Sequence, residues 1–126
     1  ILATRIGRHE DAYTYFAQSA RMDLDDYHDN FYAGIHAANM AGTWQSIVFG
    51  FAGLRLVNGV PEFKFYIPEA WNGYHFTVKI KRSVLAVDVL PDGWTITLQS
   101  GDSVNFLVEG KPYKLTEKGA TCHEAL

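Results

Sequence analysis

The stretch Ser46-Ile47-Val48-Phe49-Gly50-Phe51-Ala52-Gly53-Leu54-Arg55-Leu56-Val57-Asn58-Gly59 divides the chain into two kinds of structure. Up to about Gly50 its apolar residues continue a helical run that begins near Ile35. Beyond Gly53 the repeat shortens to two: Leu54 and Leu56 alternate before Asn58-Gly59, a dipeptide that favours the type I′ hairpin turn. A helical first part joins a β second part with no Ser-, Pro- or Gly-rich linker, so the chain reads as α+β with halves that pack directly.

Working back from that junction, only His36, Asn39, Thr43, Gln45 and Ser46 are polar between Ile35 and Phe51. A helix with so narrow a polar face is expected to be buried nearly all round. Upstream, Glu10 to Met22 carries Ala12, Tyr13, Tyr15, Phe16 and Ala20 at helical spacing and reads as an amphipathic helix. The opening Ile1-Leu2-Ala3-Thr4-Arg5-Ile6-Gly7 has the look of the last two turns of a helix stopped by a glycine. About thirty residues cannot enclose the apolar helix on every side, so a remainder outside this sequence is expected. Between the two helices, Asp23-Leu24-Asp25-Asp26-Tyr27-His28-Asp29-Asn30 combines turn-formers with adjacent like charges and reads as an irregular connection.

Working forward, Phe63, Phe65 and Ile67 alternate before Pro68, and Phe76, Val78 and Ile80 alternate with Thr77, Lys79 and Lys81. Leu85, Val87 and Val89 follow, then a turn at Asp92-Gly93 leads into Trp94 to Leu98, and Ser100-Gly101-Asp102 leads into Val104 to Val108. Short consecutive strands joined by tight turns predict an antiparallel sheet or sandwich. Trp71, Tyr74 and Trp94 read as packing residues of this sheet rather than sugar platforms. Gly50 and Gly53 follow a helix and precede a strand, the reverse of a phosphate-cradling order, and read as helix stop and turn.

With 126 residues, 48% of them hydrophobic, the chain has enough apolar material for a core. A net charge of -3 and no basic cluster beyond Lys79-Ile80-Lys81-Arg82 exclude a nucleic-acid footprint. The longest apolar stretch is broken by Gly50, Gly53 and Arg55, too short to span a bilayer, and no secretory signal pattern precedes it. Cys122 is the single cysteine, so no internal disulfide forms and a cytoplasmic location is expected. No metal is expected. Counted from Asp23 as a calcium loop, the sixth position is His28 rather than Gly and the twelfth is Gly34 rather than Glu. His9-Glu10 and His28 lack a third ligand at zinc spacing. Arg21 and the carboxylates of the connection are expected instead to fix the loop and cap the adjoining helices.

The residues that carry a resemblance are Ala12-Tyr13, Tyr15-Phe16, Arg21-Met22-Asp23-Leu24-Asp25-Asp26-Tyr27, Gly34-Ile35-His36, Met40-Ala41-Gly42-Thr43-Trp44, Gly50-Phe51-Ala52-Gly53-Leu54-Arg55 and Phe65-Tyr66-Ile67-Pro68-Glu69-Ala70-Trp71. Together they make nearly the whole chain resemble the C-terminal portion of glycoside hydrolase family 65, the maltose, trehalose, kojibiose and nigerose phosphorylases. The resemblance implies that residues 1–52 are the last helices of an (α/α)6 catalytic barrel and residues 53–126 a small antiparallel C-terminal β-sheet or sandwich domain. It implies an inverting phosphorylase that converts an α-glucosyl disaccharide and inorganic phosphate to β-glucose 1-phosphate and glucose, with phosphate as co-substrate and no other cofactor. Its general-acid glutamate belongs to a segment upstream of the part matched, so no catalytic residue is assigned in this chain, and the isolated chain is expected to be inactive.

Phosphate is already an anionic nucleophile, so one carboxylate of an inverting pair is replaced by groups that hold the anion in line with the anomeric carbon. The resemblance places that holder at Gly34 to Gly42. His36 is the leading candidate, since an imidazolium donates a charge-assisted hydrogen bond to a phosphate oxygen, and the backbone around Asn39, Ala41 and Gly42 near a helix N-terminus comes second. Many family members carry hydroxyl residues where Ala38 and Asn39 stand, which alters the donors available. Partners implied are the disaccharide, phosphate, the remainder of the barrel, and a homodimer or other self-association through uncovered apolar helix surface. Two further readings are a stand-alone β-sheet carbohydrate-binding or interaction module and part of a hydrolase of the same family.

Overall fold

The computed structural model describes residues 1–26, 29, 32 and 34–126. It opens with α1 (Leu2–Arg5), whose end is closed by Gly7 at φ 76°. The Gly7 N–H donates to the Thr4 carbonyl and the Arg8 N–H to the Ala3 carbonyl, the paired reverse bonds of a Schellman stop. Next come α2 (His9–Ala20) and α3 (Ala37–Gln45), and α3 runs on without a break into a π-helical segment, Ser46–Phe51. The acidic connection lies between α2 and α3; its Tyr27, His28 and Asn30 fall outside the described residues.

Eight strands follow: β1 (Arg55–Val57), β2 (Val60–Phe63), β3 (Tyr74–Ile80), β4 (Ser83–Leu90), β5 (Gly93–Ser100), β6 (Val104–Val108), β7 (Lys111–Leu115) and β8 (Thr121–Glu124). They form two four-stranded sheets, one ordered β1-β2-β6-β7 and the other β3-β4-β5-β8. The second sheet is antiparallel throughout. The first departs from the all-antiparallel expectation: β2 and β6 run parallel, with Glu62 opposite Leu107 and Phe63 opposite Val108. Such a pair needs a long crossover, here supplied by the whole β3-β4-β5 meander.

The sheets share one core. Phe63, Phe106, Val108 and Leu115 of the first meet Phe76, Leu85, Val87, Trp94, Ile96 and Leu98 of the second. Trp94 crosses the gap, its ring 6.5 Å from Phe106 and 5.1 Å from Tyr113. At one rim Glu124 of β8 accepts hydrogen bonds from Lys111 and the Tyr113 hydroxyl of β7, which ties the two sheets together. Asn58 (φ 50°) and Gly59 (φ 80°) make the expected type I′ turn between β1 and β2. Between β4 and β5, however, Leu90 pairs with Gly93, so the turn is Pro91-Asp92, one residue earlier than Asp92-Gly93.

The π-helical segment joins the helices to the sandwich. The Phe51 carbonyl accepts from the Tyr66 N–H at 2.8 Å and the Tyr74 hydroxyl at 3.0 Å, and the Ala52 carbonyl accepts from the Lys64 N–H at 3.0 Å. The Lys64 and Tyr66 N–H groups are thus spent on the helix end, and β2 stops at Phe63 instead of running on through Phe65 and Ile67. Gly50 is not the helix stop; it lies inside the π-helical segment, and the stop is Gly53 at φ 63°. A Cβ at Gly53 would meet the Lys64 carbonyl oxygen at 2.6 Å, so glycine is required there. Trp71 seals the junction, its ring 5.0 Å from both Phe16 and Phe51, and His9 stacks on Tyr66 at 3.9 Å. The expectation that Trp71, Tyr74 and Trp94 are packing residues agrees with these contacts.

The apolar helix is only partly enclosed among the described residues, in keeping with the expectation that about thirty upstream residues cannot surround it. No residue of α3 is buried, and Met40 and Trp44 remain 57% and 45% exposed. Burial begins only at Val48, where the sandwich reaches the helix. Among the described residues α2 is the main helix packed against α3, and a helix apolar on most sides needs further neighbours. Ile35, Tyr15, Leu2 and Ile6 are exposed as well.

Candidate functional site

The predicted anion site lies where the acidic connection enters α3. The turn after α2 is built by Arg21, whose carbonyl accepts from the Leu24 and Asp25 N–H groups and whose guanidinium grips both oxygens of Asp25 at 2.6 Å. This is the loop-fixing role expected of Arg21, and the guanidinium holds the Asp25 carboxyl below the usual range. Asp23 sits on the same turn and points across to the start of α3. One of its oxygens, Oδ2, accepts from the His36 backbone N–H at 3.0 Å, and the other, Oδ1, meets His36 Nδ1. Those two bonds, the ring bond first, hold the Asp23 carboxyl below the usual aspartate range, so it is an ionised acceptor.

His36 is the N-cap of α3, in non-helical backbone at φ −83° and ψ 78°. Its carbonyl takes the first helical bonds, from the Asn39 and Met40 N–H groups. The ring is about one-third exposed, at the helix end where the macrodipole favours an anion. One turn along, Asn39 spends its side chain on α2: Oδ1 accepts from the Ser19 hydroxyl, and Nδ2 donates to the Ser19 carbonyl. Ala41 and Gly42 lie in the second turn, where backbone N–H groups belong to the helical ladder. Thr43 and Ser46 return their hydroxyls to the Asn39 and Gly42 carbonyls, each at 2.9 Å. Of the four candidate residues, the structure sets His36 at the N-terminal end of the helix and Asn39 at the α2 contact, with Ala41 and Gly42 deeper in the helix.

The partners that sequence reading did not assign are Asp23 and Ser19. Asp23 was legible only as one carboxylate among several in an acidic run, and Ser19 only as a polar position of α2. Neither carries a local signal of its partner, because His36 is 13 residues from Asp23 and Asn39 is 20 from Ser19. Among the described residues no group of three or more His, Cys, Asp and Glu side chains has the arrangement of a metal site. Among them, too, no helix is long and apolar enough to cross a membrane.

Two family descriptions match the chain in succession: residues 1–45 match the glycosyl hydrolase family 65 central catalytic domain, and residues 54–115 match the family 65 C-terminal domain. The chain belongs to glycosyl hydrolase family 65. Among family 65 relatives, the alpha,alpha-trehalose phosphorylase of Thermoanaerobacter brockii is 41% identical over 94% of this chain. That of Geobacillus stearothermophilus is 38% identical over 93%. The kojibiose phosphorylase of Caldanaerobacter subterraneus subsp. tengcongensis is 37% identical over 91%. This chain spans 15% of the length of each of these three proteins. A solved structure described as a putative kojibiose phosphorylase from human microbiome superposes with a TM-score of 0.88 at 33% identity, covering 98% of this chain and 16% of that one. The α+β architecture thus follows the family 65 pattern.

Proposed function

We propose that this chain is the C-terminal part of an inverting disaccharide phosphorylase, in which residues 1–52 close the (α/α)6 barrel and residues 53–126 form the C-terminal sheet domain. In this reading His36, at the mouth of α3, binds inorganic phosphate. The observation that carries it is a cap histidine held by a carboxylate at the N-terminus of an otherwise apolar helix, in a chain whose relatives are phosphorylases. An imidazolium and a helix N-terminus both attract a phosphate oxygen. Asn39, Ala41 and Gly42 support the site by setting the register of α3, and first-turn backbone adds to the field.

The chemistry follows from inversion. The anion attacks the anomeric carbon from the face opposite the departing sugar, while a carboxylic acid protonates the leaving oxygen. In this reading the acid comes from polypeptide outside these residues, and the phosphate-holding groups supply orientation rather than proton transfer. The exposed apolar surface around Met40, Trp44, Ile35 and Tyr15 supports packing against further barrel helices and disfavours a free-standing carbohydrate-binding sheet.

The full-length protein that carries this chain is expected to release glucose 1-phosphate from an α-glucosyl disaccharide such as trehalose or kojibiose only when phosphate is present, and as the β anomer. Proton NMR of the fresh reaction mixture distinguishes the anomers. Phosphate-independent release of free glucose alone would make the protein a hydrolase and overturn the reading.

A further inference from the structure

We propose that Asp23 is a positioning residue for His36, locking the imidazole so that Nδ1 faces the protein and Nε2 is the nitrogen through which the ring donates to phosphate. The proposal deepens the phosphate reading and rests on it. Asp23 makes two contacts with one residue, one to the ring and one to the backbone N–H, and the two do different things. The backbone bond fixes where the Cα of the helix cap lies, while the ring bond fixes the rotation of the imidazole. An ionised carboxylate has no hydrogen to give, so the hydrogen of this contact sits on Nδ1.

That assignment limits what His36 can do. With Nδ1 engaged by Asp23, the proposal assigns donation to an anion to Nε2. The same arrangement, a carboxylate behind a histidine that orients its far nitrogen, is used wherever a histidine must present one nitrogen to a ligand.

Asp23 is itself held. Its turn is closed by the double contact of Arg21 with Asp25, and the backbone bonds to the Arg21 carbonyl tie it to the end of α2. One helical turn away, the Ser19 and Asn39 pair joins α2 to α3. Ser19 and Asp23 are four positions apart on one side, Asn39 and His36 three apart on the other, so one contact joins α2 to α3 and the other joins the turn after α2 to the α3 cap. Carboxylate, cap and helix are therefore in mutual register, a precondition for placing an anion in line with a sugar carbon.

A purely structural Asp23 would cap α3 and nothing more, and a double-mutant cycle in the full-length protein separates the two roles. Asp23→Asn keeps an oxygen for the His36 backbone N–H, but its amide turns N–H groups toward Nδ1 and unlocks the ring. The variant is expected to raise the KM for inorganic phosphate about 10-fold, with the KM for the disaccharide changed less than about twofold. In a His36→Ala background the same change is expected to move the phosphate KM by less than about twofold, because the residue it acts through is gone. Asp23→Glu, which keeps the charge on a longer arm, is expected to restore part of the loss. If Asp23→Asn does not fold, the cycle is run with Asp23→Glu. An equal effect in both backgrounds, or none in either, overturns the positioning role. If His36→Ala alone leaves the phosphate dependence intact, the phosphate reading fails first, and the positioning role fails with it.

Discussion

His36→Ala in the full-length protein is expected to lower phosphorolysis at low phosphate about 100-fold, with the loss appearing mainly in the KM for phosphate. The size follows from the bond removed: hydrogen bonds to charged groups contribute roughly 1.5–3 kcal/mol, which is about 10- to 150-fold in an equilibrium constant. It is felt in phosphate rather than in sugar because His36 sits at the end of α3, where the helix favours negative charge and offers a neutral sugar ring little. His36→Asn is expected to recover only a minor part, since a neutral amide donates without the charge. Initial rates over a phosphate series, at fixed disaccharide, read the effect directly. An unchanged phosphate KM would remove His36 from the site.

Phe106→Ala is expected to destabilise the sandwich by about 3–5 kcal/mol, the usual cost of deleting a fully buried aromatic side chain. Phe106 is fully buried at the middle of β6, the strand that joins the parallel pair to the β6-β7 hairpin. Its ring lies 5.4 Å from Tyr113, 6.2 Å from Phe63 and 6.5 Å from Trp94, so truncation opens a void touching both sheets. The surrounding rings are large and already held by neighbours, which limits how far the cavity can collapse. Phe106→Leu keeps most of the volume and is expected to cost under about 2 kcal/mol. Urea unfolding of the 126-residue chain, followed by tryptophan fluorescence, measures both. A loss below about 1 kcal/mol for the alanine variant would mean that the two sheets do not depend on this contact.

The division of the chain into helices and strands was legible because each part carries its own period. The apolar spacing of α2, the glycine stop at Gly7 and the Asn58-Gly59 turn are local signals, and the backbone angles at Gly7, Asn58 and Gly59 agree with them. The last two strands were missed for an equally local reason. Lys111-Pro112-Tyr113-Lys114 and Thr121-Cys122-His123-Glu124 lie at the sheet edges, largely exposed, so their sequences lack the apolar alternation of a half-buried strand. The Glu109-Gly110 pair, both at positive φ, was the available sign of a hairpin into β7.

Other misses were long-range. Nothing local distinguishes a strand that will pair parallel from one that will pair antiparallel, and β2 looked like its neighbours. The apolar composition of α3 calls for more enclosure than the upstream residues were expected to supply, and Met40 and Trp44 are exposed accordingly. At the candidate site, His36 stood out because it interrupts an apolar run beside a glycine. Its partner did not, because a carboxylate in an acidic connection becomes informative only when the connection folds back on the helix.

The parallel pairing of Phe63 with Val108 also sets an order of assembly. The β3-β4-β5 meander closes through two-residue turns and can zip from neighbouring segments, whereas the inner seam of the other sheet must join strands about 45 residues apart, with a correspondingly larger entropic toll for closing the loop. On the ribosome, β2 is expected to keep an unsatisfied flank until β6 has emerged, after the β3-β4-β5 meander is already complete, and β8 then joins the meander as the last strand. Pulse-labelled amide exchange during refolding is expected to protect Val87 and Ile96 before Phe63 and Phe106.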